Sequence, residues 1–187
     1  MRFFVPLVPS SYELDILVDW RVNISLAPAM KFKSLLILPF LLASLQAASL
    51  EDLTFTLIGD GTEYSVTDCD SSASGSLEIP STYNDLPVTS IGDFAFDFCS
   101  SLTSITIPDS VTSIGAYTFA FCSSLTSVTI GDSVTSIGRA AFNGLTDLTS
   151  VTFQGDAPTS GRYVFTGSDS VTIYYDIYKS GWSSTVA

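Results

Sequence analysis

Histidine is absent from the 187 residues, and only 7 lysine and arginine residues stand against 19 acidic ones, which gives a formal net charge of −12. Without histidine, the chain cannot form a Ser-His-Asp or Cys-His catalytic arrangement, or a zinc site with a histidine ligand. So acidic a chain also repels the phosphate backbone, whose binding depends on lysine and arginine. The composition therefore excludes histidine-dependent enzymes and argues against nucleic acid as a partner.

Charged residues of both signs are scarce, since they make up 14% of the chain against 46% for hydrophobic residues. A disordered acidic segment has the opposite balance, so the composition favours a folded domain with an apolar core. Beyond residue 47, three basic residues remain against 16 acidic ones. This acidic surplus supports solubility and argues against binding to an anionic membrane surface.

The one long uncharged apolar run, residues 34–45, is shorter than the roughly 20 residues that a membrane span needs. It follows Lys31 and Lys33 and precedes the small residue Ala47, an order typical of secretory signals. We predict a signal peptide over residues 30–47. The protein is then secreted or on the cell surface, with no stable membrane insertion after signal cleavage.

Residues 1–29 contain three acidic side chains, which do not suit the basic start of a targeting signal. Met30 directly precedes the two lysines, where a signal peptide would begin. We therefore expect residues 1–29 to be an upstream extension that comes from a misassigned start codon. The folded domain is expected to begin after residue 47.

A repeat of 23 residues organises the rest of the chain, because the segments 88–110, 111–133 and 134–156 align without gaps. Each begins V-T-S-I-G-x-x-x-F. Two columns continue into a fourth, degenerate unit: the glycines Gly92, Gly115, Gly138 and Gly161, and the phenylalanines Phe96, Phe119, Phe142 and Phe165. Such a period is typical of a solenoid, in which each unit buries its apolar face against its neighbours.

The pattern inside one unit predicts the shape of one coil. Residues 104–107 alternate polar and apolar side chains, as a half-buried strand does. A second extended piece, 111–114, ends at Gly115, which we expect to supply a positive φ at the corner. Phe119 and Cys122 are then three apart, as in helical turns. We predict a mostly β leucine-rich-repeat solenoid with short helical or 3-10 turns, whose parallel strands stack about 4.8 Å apart.

Both ends of the solenoid are expected to carry caps. Two strand-like segments, 53–58 and 64–67, flank an Asp-Gly pair, which is a strong hairpin signal. Four aromatic residues follow the last repeat strand. We predict an N-terminal cap hairpin over 48–76, leucine-rich repeats over 77–173 and a C-terminal cap over 174–187.

The segment Leu102–Cys122 reads L-x-x-I-x-I-P-x-x-V-x-x-I-G-x-x-x-F-x-x-C and resembles the BspA-like leucine-rich repeat of bacterial surface antigens. The resemblance covers about residues 77–182. It implies secreted or surface proteins that bind other proteins, including host matrix components, through the solenoid surface. No catalytic residue is carried by the repeat, so we expect no enzymatic activity.

The outward positions of the main strand form two columns of hydroxyl groups. Side chains two apart in a strand lie about 7 Å from each other, and strands of successive coils lie about 4.8 Å apart. A lattice of this kind suits a neutral, hydrogen-bonding recognition surface or an ice-binding face, although Ser and Thr also simply suit exposed strands. The candidate residues are Ser104, Thr106, Ser127, Thr129, Ser150 and Thr152.

Aromatic residues form the second candidate surface, because rings with a polar tip are favoured at interfaces. Phe94 begins one column on the turn side of the coils, and Ala140 interrupts it. Cap and corner packing is the competing interpretation of these rings. The candidate residues are Tyr117, Tyr163, Tyr174, Tyr175 and Trp182.

Cys99 and Cys122 are one period apart and are expected to stack in adjacent coils. A disulfide is possible in an exported protein. A reduced, buried ladder is favoured because Leu145 takes the same column in the next unit. Cys69 has no partner that the sequence can assign.

Asp109 and Asp132 form an acidic column at a turn, for which calcium is a conceivable ligand. A solvated turn tolerates two such charges without an ion, so we expect no metal or cofactor. The sequence predicts a binding or adhesion module for proteins, extracellular matrix or polysaccharide. The alternative is a structural envelope or matrix component that assembles through its repeats.

Overall fold

The structure is a computed structural model that describes residues 47–182. The predictions for residues 1–29, and for the signal peptide except Ala47, lie outside the described residues. Strands dominate the described part, and its two 3-10 helices, Leu50–Asp52 and Gly59–Gly61, come before the repeats. The strands are β1 (Leu53–Ile58), β2 (Glu63–Cys69), β3 (Ser74–Glu78), β4 (Thr82–Tyr83), β5 (Leu86–Ile91), β6 (Ser101–Ile107), β7 (Ser113–Ile114), β8 (Ser127–Ile130), β9 (Ser136–Ile137), β10 (Ser150–Phe153), β11 (Thr159–Ser160) and β12 (Thr172–Tyr175).

Two sheets form the sides of a solenoid. The first has the order β3-β6-β8-β10-β12, and the second has the order β1-β2-β5-β7-β9-β11, with β4 on β5. Neighbouring strands of the repeats are parallel, and Ser104 lies beside Ser127, which lies beside Ser150. Each partner is one 23-residue period away, so the predicted parallel solenoid is confirmed.

The interior is built from columns of apolar side chains, of which the phenylalanine column is the largest. Phe96, Phe119 and Phe142 are fully buried. Their rings stack with centroids 5.0 Å and 5.2 Å apart, and Phe165 continues the stack at 5.4 Å. Each fully buried ring contributes about 1.5–3 kcal/mol, which a single coil could not gain alone. The predicted ladder is confirmed.

The glycine column has a different reason from the predicted one. Gly115 and Gly138 do not have the positive φ that we expected at the corner. A Cβ on Gly115 would instead lie 2.5 Å from the backbone nitrogen of Asp93 in the preceding coil. The coils approach each other so closely at this corner that no side chain fits, which is why glycine recurs there.

The segment after each glycine forms turns instead of the predicted helical turns. Its backbone N–H groups donate to the next coil: Phe96 to Thr118 (2.8 Å) and Phe119 to Ala141 (2.8 Å). Because these groups bond along the solenoid axis, they are not available for a helix. Every fourth residue is left-handed, with φ between 54° and 79°: Phe94, Phe98, Tyr117, Phe121, Ala140, Gly144, Tyr163 and Gly167.

The N-terminal end is closed by the predicted hairpin, in which β1 pairs antiparallel with β2 and β2 pairs parallel with β5. Phe55 stacks on Tyr83 with ring centroids 4.1 Å apart, and Tyr64 meets Phe55 edge-on. Val66 and Leu77 beneath them are buried. The hairpin therefore acts as the cap that the sequence predicts.

The C-terminal end is covered more sparsely. Trp182 packs on Tyr175 and Phe153, with ring centroids 4.6 Å and 4.9 Å apart, and its indole nitrogen donates to the Gly155 carbonyl (3.2 Å). Ile173 of the last strand remains half-buried, whereas the same column is fully buried in the inner coils.

Candidate binding surfaces

The first candidate surface is the outward face of β6, β8 and β10, which we call the hydroxyl face. The register aligns its six predicted residues in two columns, and β3 and β12 extend them. Glu78 and Tyr174 occupy the two ends of the threonine column. The columns are Ser104, Ser127 and Ser150, and Thr106, Thr129 and Thr152.

The hydroxyl groups of this face have no hydrogen-bond partner within residues 47–182. The threonines just before each strand differ, because Thr126 donates its hydroxyl to the Thr103 carbonyl (2.9 Å) and Thr149 to that of Thr126 (3.0 Å). Thr135 does the same at the second sheet, toward Thr112 (3.2 Å). The repeat thus contains two kinds of hydroxyl, one that joins coils and one that is available to a partner.

The second candidate surface is the aromatic column on the turn side. The rings of Phe94 and Tyr117 are parallel, with an interplanar angle of 1° and centroids 5.2 Å apart. The guanidinium of Arg139 lies 6.0 Å from the Tyr117 ring and 5.6 Å from the Tyr163 ring, and it bridges the interruption at Ala140. Because stacked rings show their edges to solvent, this column does not form a flat platform for a sugar ring.

A second aromatic column was missed by the sequence interpretation. Phe98 and Phe121 stack with centroids 5.1 Å apart and are 60% and 46% exposed. Their spacing of 23 residues was the available signal, but Gly144 and Gly167 replace the rings in the next two coils. Arg139 was also missed, because its role depends on the ring of a different coil.

The three aromatic candidates near the C terminus do not form one site. Tyr174 points outward at the end of the hydroxyl face, in the column of Thr152. Tyr175 points to the other side of its strand and stacks on Trp182. Tyr174 is therefore part of the hydroxyl face, whereas Tyr175 and Trp182 cover the last coil.

The three cysteines form one buried ladder of free thiols. The Cys122 thiol donates to the Phe96 carbonyl (2.9 Å), and burial raises its pKa to about 12. Cys99 lies 3.8 Å from the Cys69 carbonyl, and its hydrogen bond to the Cys69 thiol raises the pKa of that group. The expectation that Cys69 lacks a neighbour is therefore wrong, because the end of β2 enters the same column.

The acidic column serves hydrogen bonding between coils. Asp93 accepts the N–H of Ala116 (2.6 Å), and Asp109 accepts that of Asp132 (2.8 Å). Within residues 47–182, no three acidic or cysteine side chains cluster as metal ligands would. The same part of the chain contains no helix long and apolar enough to cross a bilayer.

Solved structures with the same fold include leucine-rich repeat proteins of gut bacteria. One from Bacteroides capillosus is 31% identical, with a TM-score of 0.61, and the match covers 70% of this chain and 99% of that one. One from Bacteroides ovatus is 29% identical with a TM-score of 0.52, over 70% of this chain and 38% of its own. No curated protein matches the chain.

A leucine-rich cell surface protein from Faecalibacterium prausnitzii is 26% identical with a TM-score of 0.50, over 70% of this chain and 43% of its own. The descriptions of these proteins name no catalytic activity. The BspA-type leucine-rich repeat region matches residues 67–179 in six copies. The stacked columns and this match agree, and the chain belongs to the BspA-type leucine-rich repeat family, whose repeats suggest a protein-interaction module.

Proposed function

We propose that the protein is exported and acts as a binding module for extracellular proteins or polysaccharides, without catalytic activity, through the hydroxyl face. The observation that carries this proposal is the register of six hydroxyl groups with no internal partner. The related cell surface protein of Faecalibacterium prausnitzii supports a surface location. The signal peptide predicted over residues 30–47 supports export.

The chemistry of the face favours a neutral, polar and extended partner. Hydroxyl groups both donate and accept hydrogen bonds, so they match the hydroxyls of a polysaccharide or the backbone of a matrix protein. Large anchor residues are scarce on this face, where Tyr174 is the one ring among the candidate residues. Affinity must then come from many weak contacts along the sheet.

Binding to immobilised matrix proteins and polysaccharides tests the face. Thr106→Val and Thr129→Val remove free hydroxyls and keep the side-chain shape, and each is expected to weaken binding by about 2- to 10-fold. Thr135→Val is the matched control, because its hydroxyl bonds to Thr112 at the second sheet. Binding that the double variant leaves unchanged would contradict the proposal.

Export is tested separately by mass spectrometry of the protein in the culture medium. Cleavage after Ala47 predicts that the secreted chain begins at Ala48. Retention in the cell with the first 47 residues intact would contradict export, whatever the result for the hydroxyl face.

A further inference from the structure

The C-terminal end of the solenoid holds a cavity of about 750 Å³ that no part of the described chain fills. Core columns end there, and Phe165, Val171 and Ile173 are only half-buried. The lining is mainly apolar, which is unusual for an end that faces water. It includes Ile137, Phe153, Val164, Phe165, Val171 and Trp182.

The last strand also has an open edge beside this cavity. β12 pairs with β10 on one side only, and the Thr172 N–H donates to Thr149 there (2.9 Å). Because successive N–H groups of a strand point in opposite directions, those of Ile173 and Tyr175 point to the open edge. An edge of this kind is a template for pairing with another strand.

Two large side chains beside β12 are more exposed than any other large apolar residue of the described chain. Ile177 is 79% exposed and Tyr178 is 89% exposed. Charge does not oppose contact at this end: residues 139–187 carry three basic and four acidic residues. Residues 47–138 carry twelve acidic residues and no basic one, so two N-terminal ends would repel each other.

The N-terminal end cannot complement the C-terminal end. Along the outer edge of β3, Ala48 donates its N–H to the Ser74 carbonyl (2.6 Å), so β12 of another copy could not pair there. The other sheet ends in β1, whose pairing is interrupted by a bulge at Thr54 and Phe55. Residues 183–187 have one larger apolar side chain, Val186, which is too small to fill the cavity.

We infer that two copies of this chain associate through their C-terminal ends. β12 pairs antiparallel with β12 of the second copy about a two-fold axis, and Ile177 and Tyr178 cover the apolar cavity of the partner. An isologous contact of this kind closes on itself, so it gives a dimer and no filament. The inference is independent of what the hydroxyl face binds.

Sedimentation velocity over a concentration series of the purified protein tests the inference. We expect a monomer–dimer equilibrium that Ile177→Glu and Tyr178→Glu each weaken by about tenfold or more. Leu57→Glu, at a 49% exposed apolar position of the hairpin, is the matched control and leaves the equilibrium unchanged. Circular dichroism melting confirms that all three variants fold.

A monomer at concentrations up to about 1 mM, open-ended polymers, or an equal effect of Leu57→Glu would each overturn the inference. Hydrogen exchange gives a second measurement, because the amides of Ile173 and Tyr175 should exchange more slowly as the concentration rises. Exchange at these two amides that does not depend on concentration would also overturn it.

Discussion

The two ends of the solenoid solve the same problem in different ways. At the N-terminal end an antiparallel hairpin covers the first coil, and Val66 and Leu77 are as buried as the middle of the core. At the C-terminal end Trp182 covers part of the last coil, and Phe165 and Ile173 stay half-buried. The repeat alone therefore does not determine burial, which depends on what stacks on each face of a coil.

The largest effect is expected from the phenylalanine column. Phe119→Ala leaves a cavity between two rings and should cost about 3–5 kcal/mol in the free energy of unfolding. Phe165→Ala, in the same column, should cost less because its ring stacks on Phe142 alone and is half-buried. Urea denaturation measures both. Equal costs would show that the last coil is as well covered as the middle of the solenoid.

The glycine column allows the same comparison with a gain of volume. Gly115→Ala places a Cβ 2.5 Å from the Asp93 nitrogen and should cost about 3 kcal/mol. Gly92→Ala meets the hairpin at 3.3 Å, from the Val66 carbonyl, and should cost about 1 kcal/mol. Thermal and urea denaturation measure the difference. The reverse order would contradict close approach as the reason for glycine.

The cap at the C-terminal end is tested by Trp182→Ala. Loss of its contacts with Tyr175 and Phe153 should cost about 1–2 kcal/mol. Hydrogen exchange should quicken in residues 157–173 and stay unchanged in the hairpin, since the two ends share no contact. Faster exchange throughout the chain would show that the ends unfold together.

The smallest effect concerns thiol accessibility. Since burial raises the pKa of Cys122 to about 12, this thiol is protonated at pH 8 and should not react with a thiol reagent in the folded protein. Cys69, near the hairpin, is the least buried of the three and should react first. Denatured, unreduced protein should give three free thiols by titration. A count of one would show a disulfide.

Features that repeat along the chain were predictable from the sequence. A period of 23 residues identifies the columns, so the phenylalanine ladder, the thiol pair Cys99 and Cys122, and the hydroxyl face follow without coordinates. The hairpin was predictable from local turn chemistry. These features depend on one spacing or on neighbours in sequence.

Features that depend on contact between unlike positions were not predictable. The close approach at Gly115 requires the distance between coils, and the left-handed φ of Phe94 and Tyr117 follows from hydrogen bonds to the next coil. Arg139 lies between two rings of other coils, and Cys69 reaches the thiol ladder from outside the repeats. A pattern of single columns contains none of this information.

The regular register has a consequence for changes in length. Strands β6, β8 and β10 pair at equal spacing, so removal of residues 111–133 would join Ser110 to Val134 and leave every remaining column continuous. A cut of any other size would shift inward side chains outward and misplace the corner glycine. The chain can therefore grow or shrink by whole coils between fixed ends, and the length of its outer face can change while the architecture is conserved.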